Sequence, residues 1–469
     1  MTPSRQALPS VTVVTGQRPA VGLGDIFDLG VFALLVTALV WQSVELRADR
    51  PEMSLEVLAL GLNGLLAAIG LLSCLRHRYP TLLSCFFFDY IFLAIAPIQQ
   101  LRFKFDPIYG DEYDLWMTIG LCLLFSSTGL IALIFRGRPT DCRRGSNLSA
   151  LGADADFYPL ALALAIAVVL AVLVALYGPS LLTSREGFFD NVSVYVDKTF
   201  SLLLTSFLNP LVFIGSVVGL LASRTAGNRP WFAVFLVLLC FAELVNNPLI
   251  SARFRASALM AFAIMVFLGW NNTRVLATYL IAGLLASPIF NAFRYQNATA
   301  ADSRSLEAFF SNIDFDAFSM TSHIIRYTGQ NGFSYGDNIL SSLLFFVPRS
   351  FWSGKSEHLA YYVWPQVRYY RNVWTNNLSS PLFAEGYYAF GLIGAAMITA
   401  LLFYIFVTLE RRAEVSASGS AAQLMACLIP MLAIILLRGP LIVGFSEICG
   451  NVAALLTALA LMRVRFRLL

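Results

Sequence analysis

Hydrophobic runs of about 20 residues recur along this chain, separated by short polar segments. Runs this continuous cross a bilayer as helices, because a helix satisfies its own backbone hydrogen bonds where water is absent. About twelve spans are predicted, at residues 27–46, 55–74, 80–98, 115–135, 157–177, 200–222, 231–249, 256–270, 275–290, 385–409, 421–437 and 442–462. The pattern therefore divides the chain into a polar tail (1–26), a first block of nine spans (27–290), a long polar loop (291–384) and a last block of three spans with a short tail (385–469). The expected fold class is an all-α polytopic membrane protein with one long outer loop.

Composition narrows the class further. The chain has 469 residues, of which 58% are hydrophobic and 13% charged, with a mean hydropathy of +0.71. A soluble domain needs about a quarter charged residues to cover its surface, so the lipid bilayer is the implied partner. A net charge of +4 is small for this length and gives no reason to expect a nucleic-acid partner. The seven cysteines fall outside the long loop and form no C-x-x-C or Cys/His spacing, so they read as small apolar helix residues. Residues 1–23 lack the basic start and short apolar core of a cleaved signal.

Orientation follows from the short loops. Arg76, Arg78, Arg136, Arg138, Arg143, Arg144, Arg224, Arg229, Arg274, Arg411, Arg412, Arg463, Arg465 and Arg467 fall on one side, which the positive-inside rule makes cytoplasmic. Both termini are then cytoplasmic, and the long loop faces the periplasm or exterior.

Two hairpins leave almost no residues for a connection, 231–270 and 421–462. Asn246, Asn247, Arg253 and Arg255 are thus expected at the outer membrane face, as are Arg438 and Glu447. With Arg294, Arg326, Arg349, Lys355, Arg368 and Arg371, these basic residues collect on the outer side, where guanidinium groups would meet a lipid-linked phosphate. Ordinary interfacial anchoring is the competing reading. Arg253 and Arg255 are two apart and cannot share a helix face, so one of them is expected in a site.

Histidines are few. His323 and His358 lie in the long loop as candidate general bases, against a surface hydrogen-bonding role. Glu385 opens the tenth span and is a candidate catalytic acid. Asp314 and Asp316 form a D-x-D pair of the kind that holds a metal and a nucleotide sugar, but a solvated turn or helix start explains them as well. Asp89 and Glu243 stand out by membrane depth, and Glu243 is a candidate counter-ion for Arg253 or Arg255. Phe345, Phe346, Phe351, Trp352, Tyr361, Tyr362, Trp364, Tyr369, Tyr370 and Trp374 crowd the second half of the loop; they suit sugar faces or an interfacial belt.

The order of these parts resembles the O-antigen polymerase (Wzy-type) group of bacterial oligosaccharide repeat-unit polymerases. The resemblance rests on the hairpin with Arg253 and Arg255, Arg294 after the next span, Val347-Pro-Arg349 with Trp352 and Lys355, and the run from Pro381 to Gly391. It is one of pattern, over residues 231–462 in motif terms. It implies a GT-C-like membrane glycosyltransferase of the bacterial inner membrane. A growing polysaccharide on undecaprenyl pyrophosphate is passed to a new lipid-linked repeat unit at the periplasmic face.

By the same resemblance the substrates are undecaprenyl-pyrophosphate-linked oligosaccharides, a chain-length regulator is a candidate protein partner, and neither metal nor cofactor is required. Arg253, Arg255, Arg294, Arg349, Lys355 and Arg438 would then hold pyrophosphate. His323, Glu385 and His358 would be catalytic, and Trp352, Tyr361, Tyr362, Trp364 and Tyr369 would hold sugar. Three alternatives stay open: a polyprenyl-phosphate-sugar transferase built on Asp111, Glu112 and Asp114, a polysaccharide ligase, and a lipid-linked oligosaccharide flippase.

Overall fold

The computed structural model describes residues 23–103, 112–137, 158–178, 204–247, 253–294, 309–310, 313–367, 378–416 and 420–463. Helices and short turns make up all of the regular structure among them. The first block comprises α1 (Leu23–Asp49), α2 (Ser54–His77), α3 (Pro80–Tyr90), α4 (Ala96–Arg102), α5 (Glu112–Arg136), α6 (Pro159–Tyr177), α7 (Asn209–Thr225), α8 (Arg229–Val245), α9 (Arg253–Leu268) and α10 (Thr273–Arg294). The loop contributes α11 (Ala317–Asn331), α12 (Asp337–Leu343) and α13 (Leu359–Val363), and the last block α14 (Leu382–Val415), α15 (Ala421–Arg438) and α16 (Leu441–Leu461). Nine helical segments among the described residues are long and apolar enough to cross a membrane. Those at α8, α9 and α10 fall short of that test, although each stands where a span is expected.

The segments differ in burial. Pro80–Arg102, Leu204–Thr225 and Ala421–Arg438 are largely enclosed, whereas Gly24–Asp49 packs along one side with most of its surface outward. The first two of these carry polar side chains inside apolar runs: Thr81, Ser84, Asp89, Gln99 and Gln100 in the first, Ser206, Asn209 and Ser216 in the second. A polar group facing lipid finds no partner, so these spans turn inward. The outward faces are apolar, with Ile134, Phe135, Ile393 and Met397 all exposed.

Prolines shape the two enclosed segments of the first block. A π-turn at Ile91–Ile95 joins α3 to α4 just before Pro97, and another at Leu204–Leu208 precedes Pro210. Pro97 has no N–H to return to the Leu93 carbonyl four residues earlier. Asn63 of α2 supplies a substitute, its Nδ2 reaching Leu93 O at 3.2 Å and Asp89 Oδ1 at 3.0 Å. The Ser126 hydroxyl of α5 completes the knot between Asn63 Oδ1, at 2.7 Å, and Asp89 Oδ2. Asp89 is thus a cross-link among three spans. At the second π-turn, α16 comes so close that a Cβ on Gly450 would overlap the Ser206 carbonyl.

Helix α14 is two arms. Phe390 and Gly391 leave helical geometry, Gly391 at φ 64° and ψ −149°, a conformation nearly confined to glycine. The first arm folds back, and a Cβ on either Gly386 or Gly394 would run into the other's carbonyl. The short arm, Leu382–Ala389, is therefore tucked into the protein, and the rest of the helix makes the span.

At the end opposite the loop helices, Arg136 lies over the Tyr79 ring at 3.5 Å and between Glu410 (3.3 Å) and Glu414 (2.9 Å). Glu410 also accepts from Thr81 N at 2.7 Å and Leu82 N at 3.2 Å, at the start of α3, where a carboxylate meets the positive end of the helix dipole. Arg136, expected as an ordinary loop cation, is instead a buried tie between α5, α3 and α14.

Asn63→Leu orphans the Leu93 carbonyl and one Asp89 oxygen. We expect a loss of about 2–5 kcal/mol, measured as a lower unfolding temperature in detergent.

Candidate functional site

Two adjacent glutamines at the end of α4 fix the start of the loop. Gln99 Oε1 accepts from Phe310 N at 2.6 Å, and Gln100 Nε2 donates to the carbonyls of Phe310 and Phe315 at 2.8 and 3.0 Å. Phe309, Phe310 and Phe315 pack edge to face or tilted, with Phe92 tilted against Phe315 at 5.3 Å. This plug anchors a single 3-10 turn, Ile313–Phe315, at the top of the bundle. Asp314 and Asp316 leave that turn in different directions.

Asp314 meets Arg253 of α9, Oδ2 to Nη2 at 2.8 Å. Asp316 is buried, with its side chain 1% exposed, and lies 3.4 Å from Arg438 Nη2 at the end of α15. It also accepts from the Ser379 backbone N–H at 3.1 Å and from the Ser379 hydroxyl. Arg438 Nε donates to the Asp314 carbonyl at 3.0 Å, and its guanidinium lies over the Phe254 ring at 4.9 Å. Burial pushes the Asp316 carboxyl above its ordinary range, while Arg438 and Ser379 pull it back. The reading of this pair as a solvated turn is corrected for Asp316, which is a buried anchor although it does precede α11.

Arg255 points away from Arg253 to Glu447 of α16, which also accepts from the Ser206 hydroxyl at 3.2 Å. Glu447 is 2% exposed. Glu243 is therefore not the counter-ion of either arginine; Asp314 and Glu447 take that place, because the hairpin of α8 and α9 packs α9 against α15. Arg253, by contrast, borders a groove.

That groove has a volume of about 380 Å³ and runs between α3, α9, α10 and α15. Phe87, Phe92, Phe254, Met260, Leu280, Leu284, Phe315, Met431 and Ile434 give it an apolar wall, with Arg253, Asp314, Ser257, Tyr279 and Ser287 among its polar lining. Arg253 also donates to the Ser287 carbonyl at 3.4 Å.

No family model, no curated protein and no solved structure matches this chain.

The remaining expected site residues divide sharply. Lys355 is buried, and its three ammonium hydrogens go to the carbonyls of Leu344, Phe345 and Val347 at 2.8–3.0 Å. Burial, then Arg349, lowers its pKa. With every donor used, Lys355, expected at the pyrophosphate, pins the loop in this structure. Arg349 donates to the carbonyls of Lys355 (2.6 Å) and Ser356 (3.2 Å) and pairs with Glu357 at 3.0 Å. Glu385, expected as a catalytic acid, is clamped by hydrogen bonds in this structure. It is 2% exposed and accepts from Asn338 Nδ2 and the Ser380 hydroxyl, both at 2.8 Å, and from Leu441 N at 3.3 Å.

His323 is buried within α11, which packs against α5 and α14. One turn on, Arg326 meets Asp114 at 3.2 Å. His358 caps α13, its Nδ1 accepting from Tyr361 N at 3.1 Å. Arg294 closes α10, and its side chain lies outside the described residues, as do Arg368, Tyr369, Tyr370, Arg371 and Trp374. Tyr361 is exposed, and Tyr362 accepts from Glu357 N at 3.1 Å and stacks with Tyr327 at 6.4 Å. Trp352 and Trp364 are half-buried. Gln99, Gln100, Asn338 and Ser379 were not anticipated; the adjacent glutamines in an apolar run were the legible clue.

Arg255→Met leaves Glu447 without its cation and should cost about 3–5 kcal/mol, read from thermal unfolding in detergent. The double change Arg255→Met with Glu447→Met should recover most of that loss.

Proposed function

We propose that this protein is a membrane glycosyltransferase that polymerises oligosaccharide repeat units carried on undecaprenyl pyrophosphate. The observation that supports this reading best is the groove beneath Arg253. Its apolar wall suits an isoprenoid chain, and its charged border suits the phosphate to which such a chain is attached. The sequence resemblance to the Wzy-type polymerases points the same way, as does the exposed aromatic surface of the loop at Phe333, Tyr335, Phe351 and Tyr361, which suits sugar faces.

In the reaction, a hydroxyl of the acceptor repeat unit attacks the anomeric carbon of the donor chain. The bond from that carbon to the pyrophosphate oxygen breaks, the acceptor proton passes to a base, and undecaprenyl pyrophosphate leaves. Negative charge grows on the leaving group, so preorganised guanidinium groups are the main requirement. Arg253 at the groove takes this role, with Arg438 holding the Asp314 turn beside it. The loop faces the periplasm in this reading, and both termini the cytoplasm.

Deleting the gene in its native host should accumulate a single repeat unit on undecaprenyl pyrophosphate. Complementation with Arg253→Gln should leave the protein in the membrane and polymer yield at least 100-fold down, checked by immunoblot and polysaccharide gel. Unchanged lipid-linked intermediates in the deletion strain count against the polymerase.

A further inference from the structure

One guanidinium and one carboxylate, Arg253 and Asp314, meet at the groove's border, and a second pair, Arg438 with Asp316, lies behind them on the same turn. This set is already neutral, so an anionic headgroup arriving beside Arg253 meets a carboxylate on the same cation. Like charges that close together in a partly dehydrated site repel strongly. One of the carboxylates has to yield.

The two are not equally able to move. Asp316 is fixed by the Ser379 backbone, the Ser379 hydroxyl and Arg438 in full burial. Asp314 lines the groove with 23% of its side chain exposed. Its backbone carbonyl is held separately by Arg438 Nε, so the side chain can swing while the turn stays in place. Arg253 keeps its contact with the Ser287 carbonyl and so remains aimed at the border.

We propose that Asp314 is an internal stand-in for the phosphate of a polyprenyl lipid, and that the lipid binds by displacing this carboxylate from Arg253. The inference rests on the lipid-phosphate reading of the groove. It makes Asp314 a selectivity device: a headgroup must carry enough negative charge to outcompete a carboxylate already in place, which phosphate and pyrophosphate do and a zwitterionic phospholipid does not.

The test uses full-length protein in phosphatidylcholine nanodiscs, with undecaprenyl phosphate as probe and native mass spectrometry as readout. Asp314→Asn and Asp314→Ser should each bind the probe about tenfold more tightly than wild type, a change that unfolding cannot imitate. Arg253→Gln should bind at least tenfold more weakly. In the wild-type protein, carbodiimide labelling of Asp314, located by peptide mapping, should rise severalfold when the probe is added.

Unchanged or weaker binding by the folded Asp314 variants, or unchanged labelling of Asp314 in wild type, overturns the displacement while leaving the lipid site standing. Absence of probe binding by wild type overturns the lipid reading and the inference together. Inorganic pyrophosphate competing as well as the lipid at equal concentration would show that the chain adds nothing, and would reduce the site to a phosphate site.

Discussion

The loop end of the bundle depends on a charge set that cannot be divided. Arg253 and Arg438 come from different helices, and both meet one turn of chain through Asp314 and Asp316. Each guanidinium would be expensive at that depth without an acid, and each acid without a guanidinium. The turn is held in turn by Gln99 and Gln100 from α4 and by Ser379 before α14. Four other parts of the chain, α4, α9, α15 and the stretch before α14, therefore converge on this one segment, and the position of the groove follows from where they meet.

Spans around this set are bent, and the bends come with proline and glycine. Pro97 and Pro210 each remove a helical donor and are each preceded by a π-turn, which shifts the faces of the following turns. In the first case the shifted segment carries Gln99 and Gln100. Gly391 reverses the first arm of α14 so that Glu385 reaches Ser380, Asn338 and Leu441 N. A straight α14 would carry that carboxylate away from them. At the opposite end, the Arg136, Glu410 and Glu414 cluster joins α5, α3 and α14, so the two ends of the central helices are tied by ionic contacts and the middle by packing and the Asp89 knot.

In a protein with so apolar a surface, most of the arginines at the polar sites are matched by a carboxylate. Arg255 with Glu447, Arg326 with Asp114, and Arg274 with Asp28 at 3.0 Å follow the same pattern. A site meant for an anion then starts from an occupied cation, which is why the balance between Asp314 and an incoming phosphate matters more here than it would on a soluble surface.

The helices were legible because lipid imposes one rule on every residue of a span, and a run of apolar residues states it locally. Each of the twelve expected spans overlaps a helix, nine of the described segments are long and apolar enough to cross a membrane, and the start of the 385–409 span lies instead on the tucked arm of α14. The basic residues at the hairpins were legible as well, because only about 20 residues separate one membrane face from the other. Their partners were not. Whether Lys355 faces a ligand or three carbonyls, whether Glu385 is open or clamped, and which acid meets Arg253 depend on contacts between residues far apart in the chain, such as Arg253 with Asp314 or Arg438 with Asp316. The sequence by itself determined which segments enter the membrane and where charge must gather, since both follow from local transfer energies. The tertiary structure alone decided which charges cancel one another, because neutralisation is a property of pairs brought together by folding.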